Sequence, residues 1–284
     1  GLRAMIKASP ARQVRCLGLV MKKADGEEVG KLRGALSLAQ KKKLLRGTIE
    51  TIARLNERGF IHRDIKPANT FFDSRTGQVT LIDTGLMYKS SKSDPASRQI
   101  TAWAGTPSFM HPRTLTGKAY GTEADLYAAA MMALELHAPF VKQQVVKYFS
   151  GKIVTDRHNR VSVEQQDRLF DRAMLVAFLE SGIKLWEKNP AGPDDQLRLK
   201  AFRDFRSELD APDSFASTIM DCLLAATETP PKRFVRSRQA PAREQGDNPD
   251  NRAGGIDWRD PAQAKATYDR LLNDPRLDTG SGGI

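Results

Sequence analysis

The apolar positions of this chain change their spacing along its length, and each change marks an element. Leu45, Ile49, Ile52 and Leu55 recur at three- and four-residue intervals, the spacing of one helix face. Ser37-Leu38-Ala39-Gln40 precedes them with capping-box spacing and Gly59 follows, so a long helix is expected between these signals. Phe71-Phe72 and Val79-Thr80-Leu81-Ile82 then read as two short apolar strands around a turn at Ser74 to Gly77, a hairpin. Thr122 to Leu136 is apolar nearly all round, which predicts a helix buried on every side. Ser162-Val163-Glu164-Gln165 opens a further helical run through Leu169, Phe170, Met174, Phe178 and Leu179, and a shorter run spans Leu197 to Leu209. Ser214 to Thr227 is expected to be a buried helix. Arg236 to Gly255 is rich in Pro, Gly, Arg and Asp and reads as a linker. Asp260-Pro261 starts a short helix by N-cap and N1 preference, ending near Asn273, and Gly280 to Gly283 is expected to fray. At the front, Val14 to Met21 reads as a buried strand.

Composition narrows the class. A chain of 284 residues, 40% hydrophobic and 28% charged, can bury one large core or two modest ones. No apolar run approaches the ~20 residues of a membrane span and no signal-peptide pattern opens the chain, so a soluble protein is expected. Cys16 and Cys222 lie far apart and give neither a disulfide framework nor metal-ligand spacing; Cys222, inside an apolar helical pattern, reads as a core residue. Lys and Arg number 45 against 34 Asp and Glu, a net charge of +11. That excess suits an acidic partner or an anionic membrane surface, and equally a plain solvated basic face; no specific nucleic-acid motif accompanies it. Lys41, Lys42 and Lys43 are read as such a solvated face.

The densest chemistry lies between His62 and Asp73, His-Arg-Asp-Ile-Lys-Pro-Ala-Asn-Thr-Phe-Phe-Asp. This stretch resembles the catalytic loop of eukaryotic-type Ser/Thr protein kinases, H-R-D-x-K-P-x-N, at every defining position. Val79 to Gly85 follows at similar spacing as a strand delivering Asp83, and then Gly105-Thr106-Pro107-Ser108-Phe109-Met110-His111-Pro112. The resemblance implies an α+β, protein-kinase-like fold that is mainly the helical large lobe, with a truncated or reduced small lobe. Residues 1–26 would be the small-lobe remnant and hinge, 27–235 the large lobe with a helical insertion around 140–212, and 236–284 the linker and C-terminal helix.

Phosphoryl transfer asks a protein mainly to position a nucleophile and neutralise phosphate charge. By the resemblance, Asp64 orients the substrate hydroxyl or accepts its proton, and Lys66 contacts the transferred phosphate. Asn69 and Asp83 bind Mg²⁺, and the hydroxyl of Thr106 contacts Asp64 and Lys66. ATP is the implied cofactor, with Phe71 beneath the adenine, Met21 near the back of its pocket, Glu28 near the ribose, and Lys7 as the strand lysine or else an ordinary surface residue. His62 is implied to be a packed core residue and Asp125 the buried helix carboxylate that ties down the catalytic loop. Arg63 would receive a phosphate on an activation segment carrying Ser90, Ser91, Ser93, Ser97 and Thr101, with Ser97 or Thr101 as the phosphosite.

Departures from the family pattern matter as much. Thr84 replaces the Phe of D-F-G, and His111-Pro112-Arg113 replaces A-P-E, so the usual Glu–Arg pair with the Lys232-Arg233 region would become Arg against Arg. No G-x-G-x-x-G loop or helix-borne Glu is found ahead of the hinge. These features keep a scaffolding pseudokinase open beside a Ser/Thr protein kinase. Small-molecule kinases of the aminoglycoside type share the Asp and Asn but lack K-P and G-T-P-x-x-M. The extra helices of residues 140–212 are either a docking surface for a protein partner or padding. The divergent motifs are similar to those of bacterial kinases, implying a cytoplasmic protein or an effector secreted into a host cell.

Overall fold

The computed structural model describes residues 6–8, 14–16, 22–90, 100–115, 117–151, 154–155, 161–162, 172–188, 192–227 and 256–279. Strands β1 (Ile6–Ala8) and β2 (Val14–Cys16) pair antiparallel, Lys7 opposite Arg15. Then come β3 (Glu27–Glu28), α1 (Leu38–Glu57), β4 (Phe60–Ile61), β5 (Thr70–Phe72), β6 (Val79–Leu81) and β7 (Tyr88–Lys89). The remainder is α2 (Pro112–Leu115), α3 (Glu123–His137), α4 (Pro139–Gly151), a hairpin of β8 (Val154–Thr155) and β9 (Val161–Ser162), α5 (Arg172–Lys188), α6 (Pro193–Asp210), α7 (Phe215–Thr227) and α8 (Pro261–Leu272). The expected α+β arrangement, dominated by helices, is what forms.

Helix α1 starts where its capping box demands. Ser37 Oγ accepts from the Gln40 N–H at 3.2 Å and Gln40 Oε1 accepts from the Ser37 N–H at 2.9 Å, satisfying two otherwise orphaned donors. It stops before Gly59, whose φ of +78° reverses the chain into β4. Leu44, Leu45, Ile49 and Ile52 form its buried face. Gly47 lets that face touch the β5–β6 hairpin, since a Cβ there would lie 2.8 Å from Val79 Cγ2. Strand β5 lies between β3 and β6, all antiparallel, with Phe71 opposite Glu28 on one side and Thr80 on the other.

The core is centred on α3, where every residue from Leu126 to Leu134 is buried. Helix α7 packs along it through Ile219, Met220 and Leu223, with α1 and α4 on its other sides. Each of these large apolar side chains contributes about 1.5–3 kcal/mol on burial. Cys222 is wholly buried there, and burial pushes its thiol up to about 12, a core residue as expected. The C-terminal piece belongs to the same core: Trp258, Tyr268, Leu271 and Leu277 are buried in it, and Asp260 caps α8 by accepting from the Ala262 N–H.

Three expectations need correction or lie out of reach. Ser162 pairs with Val154 in β9, and the Val163, Glu164 and Gln165 of its capping-box spacing lie outside the described residues. Leu169 and Phe170 lie outside the described residues, and the helix is described from Arg172. Lys41, Lys42 and Lys43 are half-buried, not a solvated face. Burial lowers the Lys41 ammonium below its usual range, against the pull of Glu208. The linker at 236–255, residues 17–21 of the front strand and Gly280 to Gly283 also lie outside the described residues.

Candidate active site

Strand β4 delivers the chain to a turn that would not hold its shape alone. Arg63 sits at φ +71°, a conformation unusual for a side chain with a Cβ. Asp125, reaching up from α3, holds that turn by its backbone: Oδ2 accepts the His62 N–H at 2.7 Å and Oδ1 the Arg63 N–H at 2.8 Å. Burial pushes the Asp125 carboxyl up, while His62 and these donors oppose the shift. His62 is fully buried and its Nε2 bonds the Ile82 carbonyl at 3.1 Å. It fastens the catalytic turn to the end of β6, in keeping with a packing role.

Beyond the turn, three side chains close on one carboxylate. Lys66 Nζ donates to Asp64 Oδ2 at 2.8 Å and to Thr106 Oγ1 at 2.9 Å. Thr106 Oγ1 in turn donates to Asp64 Oδ1 at 2.7 Å. Asn69, on a short 3-10 turn begun by Pro67, donates from Nδ2 to Asp64 Oδ2 at 2.9 Å and to the Asp64 carbonyl at 3.0 Å. Burial pushes the Asp64 carboxyl up, but the hydrogen bonds from Lys66, Thr106 and Asn69 outweigh it and hold the group below its ordinary range. Asp64 is therefore ionised at neutral pH.

Thr106 reaches this cluster because of the residue before it. Gly105 has φ +115°, and a Cβ there would stand 2.4 Å from the Arg63 carbonyl oxygen, so only glycine lets the two segments touch. Phe109 and Met110 then donate their N–H groups to the Thr106 carbonyl at 2.9 and 3.1 Å, folding the segment into a tight turn.

Asp83 is placed differently. The Ile82 N–H donates to the Asn69 carbonyl at 2.9 Å, so Asp83 follows directly on the residue that joins β6 to the loop. Its backbone is left-handed at φ +59°, its side chain is exposed, and its carboxylate makes no hydrogen bond or ion pair to the described residues. Thr84 beside it is exposed too, so the position where the family packs a Phe holds an exposed polar residue here. Among the described residues no three His, Cys, Asp or Glu side chains gather as a metal site. The donors that fit Mg²⁺ are the Asp83 carboxylate and the amide oxygen of Asn69, whose Nδ2 is committed to Asp64.

Phe71 is half-buried between fully covered Thr70 and Phe72, so it shows the opposite face of β5 from the core, the side open to a flat apolar ligand. Glu28 lies on neighbouring β3, 3.9 Å from Lys31. Met21 lies outside the described residues. Lys7 has its backbone in β1 and its side chain outside them.

The activation segment reads less simply. Ser90 is buried, donating from Oγ to the Gly59 carbonyl at 3.0 Å, so it is a structural residue and not an exposed phosphosite. Thr101 is exposed; Ser91, Ser93 and Ser97 lie outside the described residues. Arg63, expected to await a phosphate, donates from Nε to the Leu86 carbonyl and lies 6.0 Å from the centre of the Tyr88 ring. Arg233 also lies outside the described residues, but the charge of Arg113 acts on buried Glu123, whose carboxyl is pushed up by burial and pulled down by the Gly121 N–H and Arg113. An acid on α3 thus lies in the field of the arginine that replaced one. His111 is buried between the Ala226 carbonyl, 3.1 Å from Nε2, and the Arg113 N–H, 3.1 Å from Nδ1. Burial and the charge of Arg113 push its imidazole down to about 3, so it is neutral.

Sequence reasoning missed Tyr120, whose hydroxyl donates to the Ala102 carbonyl at 2.6 Å while its backbone bridges Ile100. It missed Lys142 and Glu135 as well. An isolated Tyr or a Lys within an apolar helix gives no warning of what it will meet across the fold.

Known proteins are similar to this chain in sequence. The protein kinase domain matches residues 10–209 of the chain. The serine/threonine-protein kinase sid1 of Schizosaccharomyces pombe is 34% identical over 122 residues, 42% of this chain and 25% of the relative. The kinase shk1/pak1 of the same yeast is 31% identical over 130 residues, 44% of this chain and 19% of the relative. A probable serine/threonine-protein kinase, PknB, of Corynebacterium glutamicum is 30% identical over 121 residues, 42% of this chain and 19% of the relative. The matched part thus spans a quarter or less of these relatives. With a domain match over most of its length, and the residues of that domain's motifs meeting in one cluster, the chain belongs to the protein kinase domain family.

Proposed function

We propose that the chain is a Ser/Thr protein kinase that transfers the γ-phosphate of ATP to hydroxyls of a protein substrate. The observation that carries this reading is the closed set of bonds joining Asp64, Lys66, Asn69 and Thr106. A carboxylate held ionised, with a lysine on one oxygen, suits a substrate hydroxyl that must be oriented and then lose its proton. In the transfer, the hydroxyl oxygen bonds to the γ-phosphorus, the bond from phosphorus to the bridging oxygen of ADP breaks, and the hydroxyl proton passes to Asp64. Lys66 lies within reach of both Asp64 and the incoming phosphate and offsets its charge.

Asn69 and Asp83 supply the hard oxygens for Mg²⁺, which when bound neutralises charge on the phosphates. The half-buried face of Phe71 offers the adenine an apolar floor. Lys66 in the loop and Thr106 hydrogen-bonded to it favour Ser and Thr over Tyr as acceptors, by the family pattern. The test is phosphate incorporation from labelled ATP into a generic Ser/Thr-rich protein by wild type and Asp64→Asn. Wild type is expected to transfer and the variant to lose about 10²–10⁴-fold, the usual contribution of a positioned base. Equal signals would remove the enzyme reading.

A further inference from the structure

We infer that Lys142 is a positioning residue: its buried ammonium holds the Thr106–Met110 turn through the ring of Phe109. The inference rests on the kinase reading for its effect on transfer, but its geometry stands apart from it. Lys142 lies on α4 and is only 6% exposed, an unusual place for a lysine. Its Nζ stands 4.0 Å from the centre of the Phe109 ring and donates to Glu135 Oε2 at 2.8 Å. Glu135, on α3, is itself largely covered, and its other oxygen receives the guanidinium of Arg33.

The arrangement satisfies two requirements at once. A buried cation is costly unless it is paired, and Glu135 pairs it. A cation over an aromatic face is attracted by the ring, most strongly when water is excluded, and Phe109 is 7% exposed. Phe109 is in turn tied to the site by its own N–H, which bonds the Thr106 carbonyl at 2.9 Å. A chain of contacts thus runs from Arg33 through Glu135, Lys142 and Phe109 to Thr106, whose hydroxyl bonds Asp64 and Lys66. An apolar residue at position 142 could fill the same space. It could not orient the ring by charge.

The experiment compares wild type, Lys142→Met, Lys142→Arg and Phe109→Leu in the full chain. Two readings are taken: site-resolved amide exchange at Phe109 and Met110, with α7 as reference, and KM for ATP and for a peptide acceptor. Lys142→Met and Phe109→Leu are expected to speed exchange at the two amides and to lower kcat/KM for the peptide roughly tenfold, leaving KM for ATP and exchange in α7 unchanged. Lys142→Arg, which keeps the cation, should restore both. If Lys142→Met matches wild type, or if exchange rises equally in α7, the residue is packing alone and the inference fails. If wild type transfers no phosphate, the kinase reading falls, and the amide exchange by itself still upholds or overturns the positioning of the turn.

Discussion

The two carboxylates of the cleft, Asp64 and Asp83, are held in opposite ways. Asp64 is buried and receives hydrogen bonds from three side chains on two separate segments. Asp83 is exposed on a left-handed residue, joined to the site only through the backbone of its neighbour Ile82. One is a structural node as well as a chemical one. The other is exposed, and no hydrogen bond to the described residues fixes its carboxylate. The difference separates a carboxylate locked by the two segments around it from one that the proposed function assigns to a metal ion.

The comparison breaks most sharply under substitution. Asp64→Asn and Asp83→Asn should each lower phosphate transfer by about 10²–10⁴-fold, one through the base and the other through the metal site. Loss in one alone would show that the two carboxylates do not share a reaction. Asp125→Ala should follow in size: removing the acceptor of two buried N–H groups is expected to cost about 2–4 kcal/mol in urea unfolding, because both donors are orphaned.

Acid gives the next effect. His111 is held neutral in the folded chain, with its pKa pushed down from 6.5 to about 3, so the unfolded state takes up its proton first. Its contribution is full above pH 6.5 and is lost as pH falls toward 3, by an amount on the order of a few kcal/mol. Asp64, lowered from its ordinary 3.8, acts in the same direction but only below about pH 4. A His111→Gln variant should therefore flatten the stability curve between pH 6.5 and 4 and leave the steeper fall below it. An unchanged curve would contradict the buried neutral imidazole.

Thr106→Val removes the hydroxyl that bridges Asp64 and Lys66, and is expected to cost about 1–2 kcal/mol of stability. Smallest of all, Asp83→Asn should shift unfolding by less than about 0.5 kcal/mol, since the group makes no bond to the described residues. Equal destabilisation by Asp64→Asn and Asp83→Asn would erase the distinction between the two carboxylates.

Much of this was legible in the chain because the signals are local. The capping box at Ser37, the αL glycine at Gly59, the all-apolar α3 and the Asp260-Pro261 start of α8 each depend on a few neighbouring residues, and each formed where expected. The catalytic-loop motif is equally local, and Lys66 and Asn69 bond Asp64 within it, whereas Thr106 reaches them from 40 residues further on. What local signals could not carry was the outcome of competition between distant segments. Lys41 to Lys43 looked like a solvated run until the rest of the core came up against α1.

The order of residues by itself determined which groups could perform phosphoryl chemistry and which helices would bury, since periodicity and short motifs are properties of neighbours. Only the tertiary structure decided that Ser90 is a buried anchor, that Glu123 is buried in the field of Arg113, that His111 is neutral, and that Lys142 lies over Phe109. Those outcomes depend on desolvation and on groups brought together from separate segments, which the chain acquires only when it packs.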